Sequence, residues 1–161
     1  MRFIPAPLAG AFIIEPELLG DERGFFARSF CRDEFKAHGL VPAVVQCNIS
    51  FNRLRGTLRG LHYQSKPHEE AKLVRCTQGA VWDVIVDLRE DAGTRHCWFS
   101  TELTAENRRA LYVPPGFAHG FQTLADNSEV FYQMSEFYHP ESARGVRWDD
   151  PAIGISWPID D

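Results

Sequence analysis

The sequence predicts an all-β chain, an antiparallel sandwich or barrel with only minor short helices. Short stretches rich in β-branched and aromatic residues recur at close intervals, and 12 glycines and 10 prolines are spread between them as punctuation. Residues 81–88 alternate with a period of two, Val81, Asp83, Ile85 and Asp87 on one face and Trp82, Val84, Val86 and Leu88 on the other. Helical patterning is confined to two brief segments.

Taken in order, the first strand is expected at Ala11–Ile14, where three large apolar residues follow Gly10, and the second at Gly24–Ser29, opened by Gly24-Phe25-Phe26. Arg32–His38 reads as a short surface helix that Gly39 ends. Strands follow at Ala43–Ser50, Gly56–Gln64, Ala71–Thr77 and Ala80–Asp87, the last two split by Gly79. Trp98–Leu103 comes next, and then a second helical turn at Thr104–Arg108, with Thr104 as its cap and Asn107 three residues on. Arg109–Val113, Gly120–Leu124, Glu129–Tyr138 and Gly145–Arg147 complete the series. The apolar Trp82/Val84/Val86/Leu88 face reads as core.

No repeat or linker divides the 161 residues, so one domain spanning 1–161 is expected. With 44% apolar residues the chain can build a core, and scaling gives a folded surface of roughly 8,000 Å². A net charge of −5 and the absence of any basic run longer than two residues leave no footprint for phosphate-backbone binding, so nucleic acid is not an expected partner. No apolar run approaches the ~20 residues of a membrane span, and Met1-Arg2-Phe3-Ile4-Pro5 is not a leader pattern, so a cytoplasmic location is expected. Cys31, Cys47, Cys76 and Cys97 lack metal or redox spacing and read as buried free thiols.

Two histidines stand in chemically suggestive settings. Pro114-Pro115-Gly116-Phe117-Ala118-His119 has the Pro-x-Gly-x-x-His spacing typical of cupin barrels, and Gly56 precedes His62 by six residues. Together they look like the two half-motifs of a cupin-like β-barrel, a jelly roll. A metal-binding member would want a second histidine where Gln64 stands; His62, Glu69 and His119 make only three ligands, with Gln64 a poor fourth. The same barrel mouth offers an imidazole, an ammonium and a phenol in His62, Lys72 and Tyr132. A base, an oxyanion stabiliser and an acid are the requirements for inverting a carbon next to a carbonyl. Singly, each has a structural reading: His62 a strand histidine, Lys72 an edge charge, Tyr132 and Tyr138 barrel packing.

Arg59-Gly60-Leu61-His62-Tyr63-Gln64, Lys72-Leu73-Val74-Arg75, Val113–Phe121 and Asp149–Pro158 closely resemble the dTDP-4-dehydrorhamnose 3,5-epimerase family, as do Asp21–Phe26 and Gln46-Cys47-Asn48. The resemblance runs in order from about residue 3 to residue 158. It implies a cupin-like homodimer that needs no metal or other cofactor and acts on nucleoside-diphosphate 4-keto-6-deoxyhexoses in deoxysugar biosynthesis. By resemblance, His62 is the general base, Lys72 stabilises the enolate and Tyr132 is the reprotonating acid. Arg59 and Arg23 would hold the diphosphate, Arg23 supplied by the partner subunit. Phe26, Gln46, Asn48 and His119 would line the sugar and nucleotide pocket, with Tyr138 stacked on the base and Glu141 nearby.

Arg59 and His62 are an odd number of residues apart and fall on opposite faces of a regular strand, so a bulge at Gly60 is expected if they share one ligand. The family usually has an acid at Arg28, an aspartate at Cys47 and a glutamine at Glu70. It also usually continues past Trp157-Pro158 into a Ser-x-Lys-Asp motif whose aspartate pairs with the base histidine, whereas this sequence ends at Asp161. Asp83 is the expected substitute partner of His62. The leading expectation is epimerisation at carbons 3 and 5, or 3 only. A non-catalytic sugar-nucleotide-binding cupin, a 3,4-ketoisomerase and a metal-dependent cupin oxygenase are the alternatives.

Overall fold

The computed structural model describes residues 1–160. Thirteen strands and one short helix follow in order: β1 (Arg2–Pro5), β2 (Phe12–Glu15), β3 (Leu19–Asp21), β4 (Gly24–Phe26), α1 (Arg32–Ala37), β5 (Gln46–Asn52), β6 (Leu58–Gln64), β7 (Lys72–Gln78), β8 (Ala80–Asp87), β9 (Trp98–Thr104), β10 (Ala110–Val113), β11 (Phe117–Thr123), β12 (Ser128–Met134) and β13 (Ala143–Gly145). One antiparallel sheet has the order β1-β2-β10-β7-β12-β5 and the other β13-β6-β11-β8-β9, while β3 and β4 form a separate hairpin. The two large sheets face each other as the expected cupin-like jelly roll. Every predicted strand has a counterpart; β1 and β3 were not foreseen, being short and without alternation.

The interior is filled from both sheets, by Val74, Cys76, Leu111 and Val130 on one side and Val81, Ile85, Leu103 and Phe121 on the other. The odd-numbered face of β8 is therefore the inner one, and it carries Asp83 and Asp87 into the protein with no exposure. The Trp82/Val84/Val86/Leu88 face is core as expected, but it belongs to a second cluster rather than to the barrel interior. That face lies outside the barrel, where Val84 and Val86 join Leu61 and Ala118 beneath Val146, Ile153, Ile155 and Trp157 of the C-terminal segment. Both faces of β8 are buried, so alternation alone did not reveal which points inward. The outer face of the other sheet is covered by α1, whose Phe35 packs on Ile14, Leu73 and Tyr112.

Thr104–Arg108 is a tight turn rather than a helix. The Thr104 amide donates to Asn107 Oδ1 (3.1 Å) and the Asn107 amide to Thr104 Oγ1 (2.9 Å), a reciprocal cap with no helix behind it. All four cysteines are free, but only Cys76 is buried; Cys47 and Cys97 are exposed and Cys31 is intermediate.

Candidate active site

The strand carrying His62 departs from regularity where parity requires it. His119 on β11 is the Cα partner of His62, yet Phe121 is the partner of Arg59, so Gly60 and Leu61 together oppose Gly120. One extra residue turns Arg59 to the same side as His62. Two glycines permit the close approach: a Cβ on Gly60, whose φ is +113°, would stand 2.6 Å from Gly120 Cα, and one on Gly120 would stand 2.6 Å from the Arg59 carbonyl oxygen. The expected bulge is present.

Arg59, His62, Lys72, His119, Tyr132 and Asn48 line one pocket of about 270 Å³, together with Gly120, Phe121 and Met134. Five strands of the two sheets supply the polar groups. Arg59 is steadied by its Nε donating to Oδ1 of buried Asn52 (2.6 Å), a support that sequence reasoning missed. A larger cleft of about 1090 Å³ runs along Gln64, Lys66, Arg89 and His96 but holds none of these groups, so size alone does not mark the site. Glu69, weighed as a carboxylate ligand beside His62 and His119, borders that cleft instead.

Lys72 is buried, and its Nζ lies 3.1 Å from Glu70 Oε1 and donates to the His62 carbonyl oxygen at 3.3 Å. The carboxylate at position 70 is therefore the counter-charge of the pocket's ammonium. A buried ammonium without one is costly. The sequence showed only an acid two residues before Lys72, ahead of β7, and nothing distinguished it from a surface pair. Burial, followed by the positive charges of Lys72, His119 and Arg59, lowers the pKa of His62 from 6.5, which favours the neutral imidazole a base requires. Burial and then the Asp83 carboxylate raise the Tyr132 phenol far above its ordinary value, so it holds its proton.

Asp83 does not pair with His62. Its Oδ1 lies 2.8 Å from Nε2 of His119, and both side chains are inaccessible or nearly so. Asp83 and His119 sit on the inner faces of neighbouring strands β8 and β11, with Asp83 the Cα partner of Phe121, so register brings the carboxylate to the other histidine. Among the described residues the His62 ring makes no hydrogen bond.

The remaining predicted residues lie outside this pocket. Arg23 and Phe26 are on the exposed β3–β4 hairpin, where Arg23 pairs with Asp21. Gln46 accepts a hydrogen bond from the Tyr138 amide (3.1 Å), and Tyr138 and Glu141 are exposed at the end of the segment that follows β12. Of the unusual charges, Arg28 is paired with Glu34 at 2.8 Å, and Cys47 is exposed on β5.

A neutral imidazole, an ammonium and a protonated phenol on the walls of one pocket in a cupin-like barrel are the equipment of an acid–base isomerase. The sequence profile of the dTDP-4-dehydrorhamnose 3,5-epimerase family matches residues 5–161. The chain is 49% identical over 160 residues to the dTDP-4-dehydrorhamnose 3,5-epimerase of Methanothermobacter thermautotrophicus, covering 99% of this chain and 85% of that one. It is 39% identical to a dTDP-4-dehydrorhamnose 3-epimerase of Streptomyces niveus, covering 98% and 76%. The crystal structure of the 3,5-epimerase of Elizabethkingia anophelis superposes with a TM-score of 0.97 at 42% identity, covering 100% and 88% of the two chains. That of the Legionella pneumophila dTDP-6-deoxy-D-glucose-3,5-epimerase, solved with dTDP-4-keto-L-rhamnose, gives 0.93 at 39% identity, covering 99% and 85%. The chain belongs to the dTDP-4-dehydrorhamnose 3,5-epimerase family, a family of isomerases.

Proposed function

We propose that residues 1–161 form a single catalytic domain that epimerises a nucleoside-diphosphate 4-keto-6-deoxyhexose, dTDP-4-dehydro-6-deoxyglucose, at carbons 3 and 5. The observation that carries this reading is the pocket in which His62, Lys72 and Tyr132 converge, with the imidazole biased toward neutrality and the phenol toward its protonated form. His62 takes the proton from the carbon flanking the C4 carbonyl. The Lys72 ammonium stabilises the negative charge that develops on the keto oxygen. Tyr132 returns a proton from the opposite face. Arg59 and Asn48 hold the substrate beside His119, and Gln46, Tyr138 and Glu141 form the nucleotide rim. Inversion at both carbons, rather than carbon 3 alone, is favoured by the higher identity to the 3,5-epimerase of Methanothermobacter than to the 3-epimerase of Streptomyces niveus.

The functional unit is a homodimer in the cytoplasm. Leu19 and Phe26 of the β3–β4 hairpin are 69% and 72% exposed, and Ile49 on edge strand β5 is 65% exposed, an apolar surface that a second copy would cover. Such a dimer would bring Arg23 and Phe26 to the pocket of the partner subunit. Four free thiols suit a reducing compartment.

Proton NMR of dTDP-4-dehydro-6-deoxyglucose with the protein in D₂O tests the reaction. Loss of signal at carbons 3 and 5 is the expected result, and loss at carbon 3 alone would make it a 3-epimerase. Binding without exchange at either carbon would overturn the catalytic reading. Sedimentation at micromolar concentration tests the dimer, and a purely monomeric species would remove it.

A further inference from the structure

Gln64 stands where a metal-binding cupin would carry its second histidine, and the structure gives it a different task. Its side chain is buried, and its Nε2 donates to the His68 carbonyl (2.9 Å) and the Phe137 carbonyl (3.1 Å) while its Oε1 accepts from the His139 amide (2.7 Å). One amide therefore ties the loop after β6 to the segment after β12. The result is that the imidazoles of His68 and His139 lie face to face, centroids 3.5 Å apart and planes within 9°. His139 Nδ1 and His68 Nε2 both look toward Glu141 Oε1, at 3.2 Å and 3.9 Å.

We propose that His68, His139 and Glu141 form a site for a borderline divalent cation, with Zn²⁺ the best-matched ion, distinct from the His62 pocket. Two imidazole nitrogens and one carboxylate oxygen are a donor set that zinc accepts, with further positions left to water. One ligand atom from each residue lies within 4.8 Å of the others. Ligands at about 2.1 Å from a tetrahedral ion stand roughly 3.4 Å apart, so binding requires the carboxylate and rings to close by up to about 1.4 Å and the stacked rings to splay. Exposed Glu141 gives the ion its entry from solvent. The second carboxylate completes the arrangement: Glu136 Oε1 lies 3.7 Å from His139 Nε2, the nitrogen turned away from Glu141. A carboxylate on the far nitrogen is the usual way a ligating histidine is oriented. The ion would clasp the two segments that Gln64 already aligns, and with them Tyr138, which lies between Phe137 and His139.

Titration of the tag-free full chain with Co²⁺, followed by its visible absorption, and with Zn²⁺, followed by calorimetry, tests the site. One equivalent should bind with a tetrahedral Co²⁺ spectrum, and Zn²⁺ should raise Tm by linkage. His68→Ala and His139→Ala should each weaken binding at least about tenfold, and Glu136→Gln about tenfold through the orientation of His139. The alanine variants remove half-exposed side chains and keep the main-chain bonds to Gln64, so circular dichroism should match the parent. No saturable binding at a roughly tenfold metal excess would overturn the proposal. So would binding unchanged in the His68→Ala/His139→Ala double variant.

Discussion

His62 and His119 are Cα partners on adjacent strands and line the same pocket, yet they live under opposite constraints. His119 is 4% exposed, bonded to a fully buried aspartate and set edge-on to Tyr132 at 5.9 Å. His62 is exposed at the pocket wall, sits beside a bulge and shares the pocket with Lys72 and Arg59. The difference separates two tasks. An imidazole locked to a carboxylate is held in one orientation, while one left unlocked and biased toward neutrality suits the proton-accepting role proposed for His62.

That contrast can be broken first at His62. His62→Asn should lower carbon-bound hydrogen exchange by about 10³-fold or more while moving stability by less than about 0.5 kcal/mol. A variant retaining full exchange in the D₂O experiment would place the base elsewhere. At the other histidine the effect should fall on stability. Asp83→Ala strips the buried His119 ring of the carboxylate it is bonded to and should cost about 3 kcal/mol in denaturant unfolding. A loss below about 0.5 kcal/mol would mean that the pair does not hold the barrel.

Tyr132→Phe sharpens the division between taking and returning a proton. Turnover to the inverted product should fall about 10²-fold, with exchange at the substrate carbons reduced less. Equal loss in both would remove Tyr132 from the reprotonating role. The smallest effect concerns pH. Because burial and neighbouring cations lower the pKa of His62, the acid limb of kcat/KM should lie below 6.5, activity being lost as pH falls through that lowered value. Glu70→Gln keeps the shape beside Lys72 but removes its counter-charge, so the limb should move down by about half a pH unit. A limb that moves upward would show that Glu70 acts on His62 by another route.

Much of the architecture was legible because strand patterning and turn residues are local. The spacing of Gly24-Phe25-Phe26, the alternation through β8 and the Pro-x-Gly-x-x-His motif each depend on neighbours in the chain. The bulge at Gly60 was legible for the same reason, since parity along a strand requires an extra residue to bring Arg59 and His62 to one side. Matching motifs likewise led to His62, Lys72 and Tyr132, and the pocket gathers all three.

What local spacing did not carry was pairing across strands. Asp83 and His119 are 36 residues apart, and only the β8–β11 register turned the aspartate to His119 and away from His62. The inner face of β8 was equally undecided, because a strand covered on both sides alternates apolar residues whichever way it points. Gln64 read as a poor metal ligand until the loop after β6 met the segment after β12 around its amide. The sequence by itself determined eleven of the thirteen strands, the bulge and the chemical groups brought to the barrel mouth. The tertiary structure decided which carboxylate meets which cation or imidazole, because those partners are chosen by sheet register and loop closure, over distances along the chain that no local pattern spans.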